Sequence, residues 1–181
     1  MISDLEASVL GLICEGYGYG YEMEKIIEER NMRNWTEIAF SSIYYVLKRL
    51  EKNGYITSTT KAVRGRSRKV YTVTPQGSEV MKEKVKDLLS HYHHRPDPFD
   101  LGIGNLDKLP FDEITACLRS YYESLEEREE FMRRRLEVMK KTEWPTHIHG
   151  LVTRHLTKLA PEKEWVLSYI DELETHHKDK E

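Results

Sequence analysis

Residues 41–75 decide how this chain folds, and their sequence is SSIYYVLKRLEKNGYITSTTKAVRGRSRKVYTVTP. Apolar residues recur from Ile43 at the i, i+4 and i+7 spacing of a helix. Two segments rich in β-forming residues follow, at residues 55–60 and 69–73. The pattern predicts a helix and then a β-hairpin, whose tip at residues 61–68 is a flexible cationic loop.

The flanking sequence predicts more helices. Ser3 and Glu6 match a capping box in front of a helical apolar stripe, so we expect a first helix that ends near Cys14. Three glycines then indicate a turn, and a second helix is expected from about Gly20. After the hairpin, Thr74-Pro75 is a typical helix start and predicts a fourth helix.

Three short helices followed by a hairpin are the order of elements in a winged helix-turn-helix. We expect this domain, with the helix after the hairpin, over residues 1–94. Residues 95–110 contain three Pro and two Gly and predict a connector. The fold class is therefore mainly α, with a C-terminal helical dimerisation domain over residues 111–181. Within the connector, five apolar residues are expected to pack against another element: Phe99, Leu101, Ile103, Leu106 and Leu109.

The C-terminal part predicts two long helices, the first over about residues 111–141 and the second from Thr146. The second helix is expected to continue, with a kink, through Pro161. Both carry long apolar seams, which a second copy of the chain would cover. The residues expected at this homodimer interface are Ile114, Leu118, Tyr121, Leu125, Ile148, Val152, Leu159, Val166, Tyr169 and Leu173. The alternative is that the helices pack only on each other and on residues 99–109.

The charge of the chain is unevenly distributed. The 181 residues have a formal net charge of -3, a value that by itself argues against a nucleic-acid partner. Residues 36–69, however, hold 8 basic and 2 acidic residues, whereas residues 95–181 hold 14 basic and 19 acidic ones. The positive charge thus coincides with the third helix and the hairpin.

The position of the positive charge, on the third helix and the hairpin, predicts binding to double-stranded DNA. A major groove admits one helix, whose polar side chains reach base edges while cations reach phosphates. The hairpin suits the phosphate backbone or the minor groove. The DNA-binding residues predicted in this way are Ser41, Ser42, Tyr44, Tyr45, Lys48, Arg49, Lys52, Arg64, Arg66, Arg68 and Lys69. The alternative is a winged-helix module that binds protein and has no DNA-regulatory activity.

Three motifs resemble the PadR family of winged helix-turn-helix transcriptional regulators. They are VLGLICEGYGYGYEMEKIIEE at residues 9–29, AFSSIYYVLKRLEKNGYI at residues 39–56 and RGRSRKVYTVTPQGSEVM at residues 64–81. The resemblance implies a dimeric repressor of nearby genes, in which each winged domain binds one half of a palindromic operator. It also implies release by a small-molecule effector. A candidate effector pocket lies between the winged domain and the dimer helices, lined by Phe99, Tyr121, Tyr122 and Trp165, although core packing is the more common role of aromatic residues at helical spacing.

Enzymatic and metal-dependent functions have little support in the sequence. No catalytic constellation, metal site or cofactor motif stands out, and the glycines of GYGYG lack the strand and the GK[ST] of a phosphate loop. His91, His93 and His94 are bunched without carboxylate or cysteine ligands nearby, so a metal-responsive regulator is only a third alternative. We therefore predict that the chain is not an enzyme.

The sequence also predicts a cytoplasmic location. No apolar run approaches the roughly 18 residues of a membrane span, so no membrane partner is expected. Asp4 and Glu6 occupy positions where a signal peptide carries positive charge. Cys14 and Cys117 are expected to be buried free thiols, as in a reducing compartment.

Overall fold

The chain forms two compact units, Met1–Arg95 and Pro96–Glu181. This structure is a computed structural model, and it describes residues 2–34, 36, 42–63, 66–94, 96–141 and 143–179. At residues 34, 63 and 66 it describes the backbone and not the side chain. No helix in these ranges is long and apolar enough to cross a membrane.

The order of elements is that of a winged helix followed by a helical hairpin. The first unit contains α1 (Asp4–Cys14), α2 (Gly20–Glu29), a 3-10 turn (Met32–Asn34), α3 (Ile43–Lys52), β1 (Ile56–Val63), β2 (Arg66–Val73) and α4 (Pro75–Ser90). The second contains α5 (Pro98–Ile103), a 3-10 turn (Leu106–Lys108), α6 (Phe111–Lys140) and α7 (Thr146–Lys178). The mainly α fold class predicted from the sequence is confirmed.

The predicted capping box begins α1. The Ser3 hydroxyl oxygen accepts a hydrogen bond from the Glu6 amide at 3.2 Å, and the Ser3 amide donates to Glu6 Oε2 at 2.9 Å. These bonds satisfy amides that have no acceptor inside the helix. The capping box thus sets the start of α1 and holds the Glu6 carboxylate beside it.

The core of the first unit forms where α1 packs against α3. Leu10 and Leu12 of α1 are buried together with Ile43, Leu47 and Leu50 of α3. Full burial of a side chain of this size contributes about 1.5–3 kcal/mol. The apolar spacing that predicts α3 is therefore the spacing of its buried face.

The hairpin differs from its prediction. The strands pair from Ile56 opposite Val73 to Val63 opposite Arg66, so most of residues 61–68 belong to β-strands and not to a loop. Exposed cationic side chains are compatible with a β-ribbon because they alternate along each strand and point away from the pairing backbone. Arg64 and Gly65, between the strands, lie outside the described residues.

Thr74 and Gly77 attach α4 to the end of α3 and the start of the hairpin. The Thr74 hydroxyl donates to the Gly54 carbonyl at 2.7 Å and accepts from the Gly77 amide at 3.0 Å. A Cβ on Gly77 would lie 2.0 Å from the carbonyl oxygen of Tyr55. Glycine is therefore required here, because the backbones approach too closely for any side chain.

In the second unit, α6 and α7 pack side by side in antiparallel orientation. Arg119 pairs with Glu174 at 2.9 Å near one end, and Glu129 pairs with Lys163 at 2.5 Å further along. The predicted single helix across Pro161 is confirmed, since α7 is continuous there. Three of the five apolar residues predicted to pack from the connector do so: Phe99, Ile103 and Leu106.

The seams of α6 and α7 are covered within one chain. Of the ten residues expected at the homodimer interface, five are buried: Ile114, Leu118, Leu125, Val152 and Val166. The other five are half-buried against the same apolar clusters: Tyr121, Ile148, Leu159, Tyr169 and Leu173. The two helices thus pack on each other at all ten positions, and the contact of these residues with a second copy stays a prediction.

Several burial predictions are wrong. Ile170 is buried and Tyr169 only half-buried, because the contact line drifts around a helix of this length relative to a strict seven-residue repeat. Leu101 and Leu109 are exposed. Cys14 and Cys117 are exposed free thiols, since Cys14 ends α1 and Cys117 is one position away from the seam residue Leu118.

We expect Gly77→Ala to lower the free energy of unfolding by about 3 kcal/mol or more, because the methyl group meets backbone that cannot move aside. Urea unfolding of the full chain measures this change. Gly150→Ala is the control, since nothing lies within 4 Å of the added Cβ and alanine is favoured in a helix. Equal stability of the two variants would contradict the close approach.

Candidate nucleic-acid interface

α3 has one buried face and one exposed face. Ile43, Val46, Leu47 and Leu50 face the core. The exposed face carries two aromatic residues, Tyr44 and Tyr45, and three basic residues, Lys48, Arg49 and Lys52. The predicted DNA-binding residues of this helix thus lie on its solvent side.

Lys48 and Lys52 are exposed cations. Neither forms an ion pair with a carboxylate in the part of the chain that the structure describes. They are spaced by one helical turn, so both ammonium groups can lie along the same strand of a duplex. Ser42 is half-buried and immediately precedes α3, whereas Ser41 lies outside the described residues.

Arg49 points towards α1. Its Nε lies 3.1 Å from Oε1 of the buried Glu6, and its guanidinium lies 5.8 Å from the Tyr45 ring centre. A hydrogen bond with Tyr45 and the negative charge of Glu6 raise the pKa of Arg49. The same carboxylate that caps α1 therefore holds Arg49, which joins α3 to the core. Because α3 is the helix predicted to enter the major groove, it is called the recognition helix.

The basic residues of β2 contact the body of the winged unit. The Arg68 guanidinium lies 4.5 Å from the ring centre of Tyr21 on α2, and Lys69 Nζ lies 3.3 Å from Glu51 Oε2 on α3. For Arg66 only the backbone is described, as the first residue of β2, and Arg64 lies outside the described residues. These contacts place Arg68 and Lys69 beside the helices and not in a free loop.

Glu51 connects α3 to both strands of the hairpin. Its Oε1 accepts a short hydrogen bond from the Ser58 hydroxyl of β1, and its Oε2 pairs with Lys69 of β2. The Ser58 hydroxyl and the Lys69 ammonium lower the pKa of Glu51. One carboxylate thus fixes the hairpin relative to the recognition helix.

The turn before α2 holds the hairpin from the other side. The Tyr71 amide donates to the Gly18 carbonyl at 2.8 Å, and a Cβ on Gly18 would meet Val70 Cγ1 at 2.9 Å. A Cβ on Gly20 would lie 2.9 Å from the ring of Tyr44. The glycines of this turn therefore allow the hairpin and the recognition helix to approach α2.

Sequence reasoning missed Glu51, Tyr21 and Gly18 as parts of this surface. Glu51 is the only acidic residue of α3, and an acidic residue among cations is a signal for ion pairing that could have been used. The contacts of Tyr21 and Gly18 join segments about fifty residues apart and leave no local pattern.

Three of the four predicted effector residues come together in the second unit. The rings of Phe99 and Tyr121 stack with centres 3.9 Å apart, and Trp165 meets Phe99 edge-on at 6.1 Å. Tyr122 lies apart from them, 5.8 Å from the Lys163 ammonium. Burial, Glu162, Asp97 and Asp100 raise the pKa of Tyr121 to about 12.

Among the described residues, no group of three or more His, Cys, Asp or Glu side chains could hold a metal ion. His91 lies 3.2 Å from Asp87 at the end of α4, and His93 contacts the Asp87 carbonyl at 3.3 Å. The bunched histidines are therefore explained by local contacts at a helix end.

Comparison with known families identifies the N-terminal unit. Residues 9–83 match the model of the transcriptional regulator PadR-like family. Over these residues, the chain is similar to the PadR-like transcriptional regulators. The match runs from the middle of α1 to the middle of α4 and so includes the recognition helix and the hairpin. No curated protein matches the chain.

Solved PadR structures share the fold over nearly the whole chain. Bacillus subtilis PadR in complex with operator DNA is 23% identical, covers 93% of this chain and 98% of its own, and has a TM-score of 0.74. The same protein in complex with p-coumaric acid is 22% identical, with coverages of 95% and 99% and a TM-score of 0.74. The PadR-like regulator BC1756 from Bacillus cereus is 18% identical, with coverages of 94% and 98% and a TM-score of 0.67.

We expect Glu51→Gln to lower the free energy of unfolding at pH 7 by about 1 kcal/mol, because Gln carries no charge for Lys69 and the pair is at the surface. A carboxyl group whose pKa is lowered in the folded state stabilises the protein at pH values above its ordinary pKa of about 4.3. This stabilisation is lost as the pH falls below that pKa. The difference from the wild type should therefore shrink at pH 3.

Urea unfolding of both proteins at the two pH values measures this effect. Glu79→Gln on α4 is the control, since it breaks an exposed pair with Lys82 in which Lys82 Nζ lies 3.1 Å from Glu79 Oε2. If Glu51→Gln and Glu79→Gln behave alike, Glu51 does not hold the hairpin.

Proposed function

We propose that this PadR-like regulator is a homodimeric repressor that binds a palindromic operator in double-stranded DNA. The observation that carries this proposal is the exposed face of α3, where Lys48 and Lys52 follow Tyr44 and Tyr45 along the helix. The hairpin lies beside this face through Glu51. The surface therefore combines side chains for base edges with cations for the backbone.

The proposed mode of binding places α3 in the major groove. Ser42 and Tyr44, at its N-terminal end, are the candidates for base contacts, and Lys48 and Lys52 are the candidates for phosphate contacts. The strand β2 then lies along the flanking backbone with Arg68 and Lys69. In a dimer, two such helices would enter successive major grooves about 34 Å apart.

Operator DNA and the small molecule p-coumaric acid are ligands of Bacillus subtilis PadR. From these structures we extend to this chain the binding of operator DNA and of a small-molecule effector, without the chemical class of that effector. Occupation of a promoter would block transcription, and a small molecule would release the dimer from DNA. The aromatic residues Phe99, Tyr121 and Trp165 are our candidates for the effector site. We propose no enzymatic activity, and a cytoplasmic location suits the two free thiols.

The proposed dimer needs exposed apolar surface, since the α6 and α7 seams are covered within the chain. Such a surface lies on the last two turns of α4, where Val85, Leu88, Leu89 and Tyr92 follow one another at the i, i+3, i+4 and i+7 spacing of one helix face. Leu89 is 83% exposed and Tyr92, just past the helix end, is 90% exposed. We propose that this face, called the α4 stripe, contacts the second copy.

We expect Lys48→Ala and Lys52→Ala each to weaken binding to DNA. The loss of affinity should be similar for DNA from the promoter region of the protein's own gene and for every other DNA sequence tested. Each dimer loses two phosphate contacts, so the slope of log affinity against log salt should fall by about 1.8. Mobility shifts over a range of salt concentrations measure the slope, and Arg66→Ala should behave in the same way.

Lys82→Ala on α4 removes the same charge outside α3 and the hairpin and is the control. An unchanged slope of log affinity against log salt in the Lys48 and Lys52 variants would contradict the placement of α3 in the major groove. Absence of any mobility shift would favour a protein-interaction module, and a shift that requires added metal would favour a metal-responsive regulator.

We expect Leu89→Asp to weaken the dimer at least tenfold, because it places a charge in a desolvated apolar contact. Sedimentation over a range of protein concentrations measures the dissociation constant. Ser90→Asp adds the same charge about 100° around the helix and should leave the dimer intact. If both variants stay equally dimeric, the α4 stripe is not the contact.

A further inference from the structure

Four aromatic side chains from three helices form one continuous group in the second unit, which we call the aromatic shelf. Phe99 comes from α5, Tyr121 from α6, and Trp165 and Tyr169 from α7. Phe99 stacks on Tyr121 with ring centres 3.9 Å apart, meets Trp165 edge-on at 6.1 Å, and Trp165 stacks on Tyr169 at 4.9 Å. The electron-rich faces of such rings attract cations.

The shelf is partly open to solvent. Trp165 remains 43% exposed although it contacts two other rings, and Tyr121 and Tyr169 are half-buried. A large aromatic side chain that only completed a core would bury more of its surface. The exposed part of Trp165 therefore offers apolar contact area to a small molecule.

Carboxylates surround the shelf. The Tyr121 hydroxyl donates to Glu162 Oε1 at 3.3 Å. Asp97 accepts the Phe99 amide at 3.0 Å at the start of α5, and Asp100 lies in the first turn of that helix. The negative charges of Glu162, Asp97 and Asp100 all act on the Tyr121 phenol, where with burial they raise its pKa to about 12.

The nearest basic residue along α7 does not offset these charges at the shelf. Lys163 Nζ lies 2.5 Å from Glu129 Oε2 and contacts the ring of Tyr122, which is not part of the shelf. The charges that raise the pKa of Tyr121 are those of the carboxylates Glu162, Asp97 and Asp100. An anionic ligand would be repelled, and a cationic one attracted.

We propose that the aromatic shelf binds a hydrophobic organic cation, such as a quaternary ammonium or aromatic cation, as the effector of this regulator. The positive group would lie over the exposed part of Trp165, with Glu162 as its counter-charge. This inference rests on the proposed function for its regulatory meaning. It assigns to this chain a ligand class opposite in charge to p-coumaric acid, the ligand of the Bacillus subtilis structure.

The test uses two ions of the same shape and opposite charge, tetraphenylphosphonium and tetraphenylborate, titrated calorimetrically into the full chain. We expect the cation to bind. We also expect Glu162→Gln to weaken the cation about fivefold, as a charge-assisted cation–π site requires, without weakening the anion. Glu164→Gln, an exposed carboxylate two residues away, is the control for net charge and should change neither affinity.

A second variant separates binding at the shelf from binding elsewhere. Trp165→Leu should remove binding of tetraphenylphosphonium while the circular dichroism spectrum stays helical. If Trp165→Leu does not fold, the comparison of Glu162→Gln with Glu164→Gln decides alone. Tighter binding of the anion in the wild type, or equal effects of the two Gln variants, would overturn the proposal.

Mobility shifts with promoter DNA keep the two proposals distinguishable. If the wild-type protein shifts the DNA and tetraphenylphosphonium releases that DNA, the repressor proposal and the ligand-site proposal both hold. If the cation binds at the shelf and no DNA is shifted, the repressor proposal fails while the ligand site stands. If DNA is shifted and the cation neither binds nor releases it, the ligand site fails while the repressor proposal stands.

Discussion

The winged unit depends on the double role of Glu51. A carboxylate has two oxygens, and here one accepts from Ser58 on β1 while the other pairs with Lys69 on β2. A two-stranded hairpin is marginally stable on its own, so such side-chain contacts decide where it lies. By fixing the hairpin beside α3, Glu51 makes a helix and a ribbon into a single surface.

This interaction also changes the meaning of the positive charge between residues 36 and 69. Arg49 is held by Glu6, Lys69 by Glu51, and Arg68 lies over Tyr21. Part of the charge therefore positions the surface, and Lys48 and Lys52 are left exposed for a partner. A count of basic residues alone would assign all of them the same role.

In the second unit, the main physical constraint is the burial of apolar helix surface. Two long helices must cover their apolar seams, and α6 and α7 pack these seams against each other. Exposed apolar residues remain outside the seams, among them those of the α4 stripe and Trp165 of the aromatic shelf. Surfaces of this kind usually mark sites of interaction. The sites proposed for a second copy and for an effector follow from what intrachain packing leaves uncovered.

The sequence by itself determined α1 to α4, α6 and α7, whereas α5 lies within the segment predicted as a connector. The capping box at Ser3, the spacing from Ile43 to Leu50 and the Thr74-Pro75 start are local signals, because the residues that make each contact are neighbours along the chain. The family resemblance over the three motifs is equally readable from the sequence. Only the tertiary structure decided that Arg49 faces Glu6, that the hairpin strands extend through basic residues, and that the seams close within one chain. These outcomes depend on contacts between distant segments, for which the local pattern carries no signal.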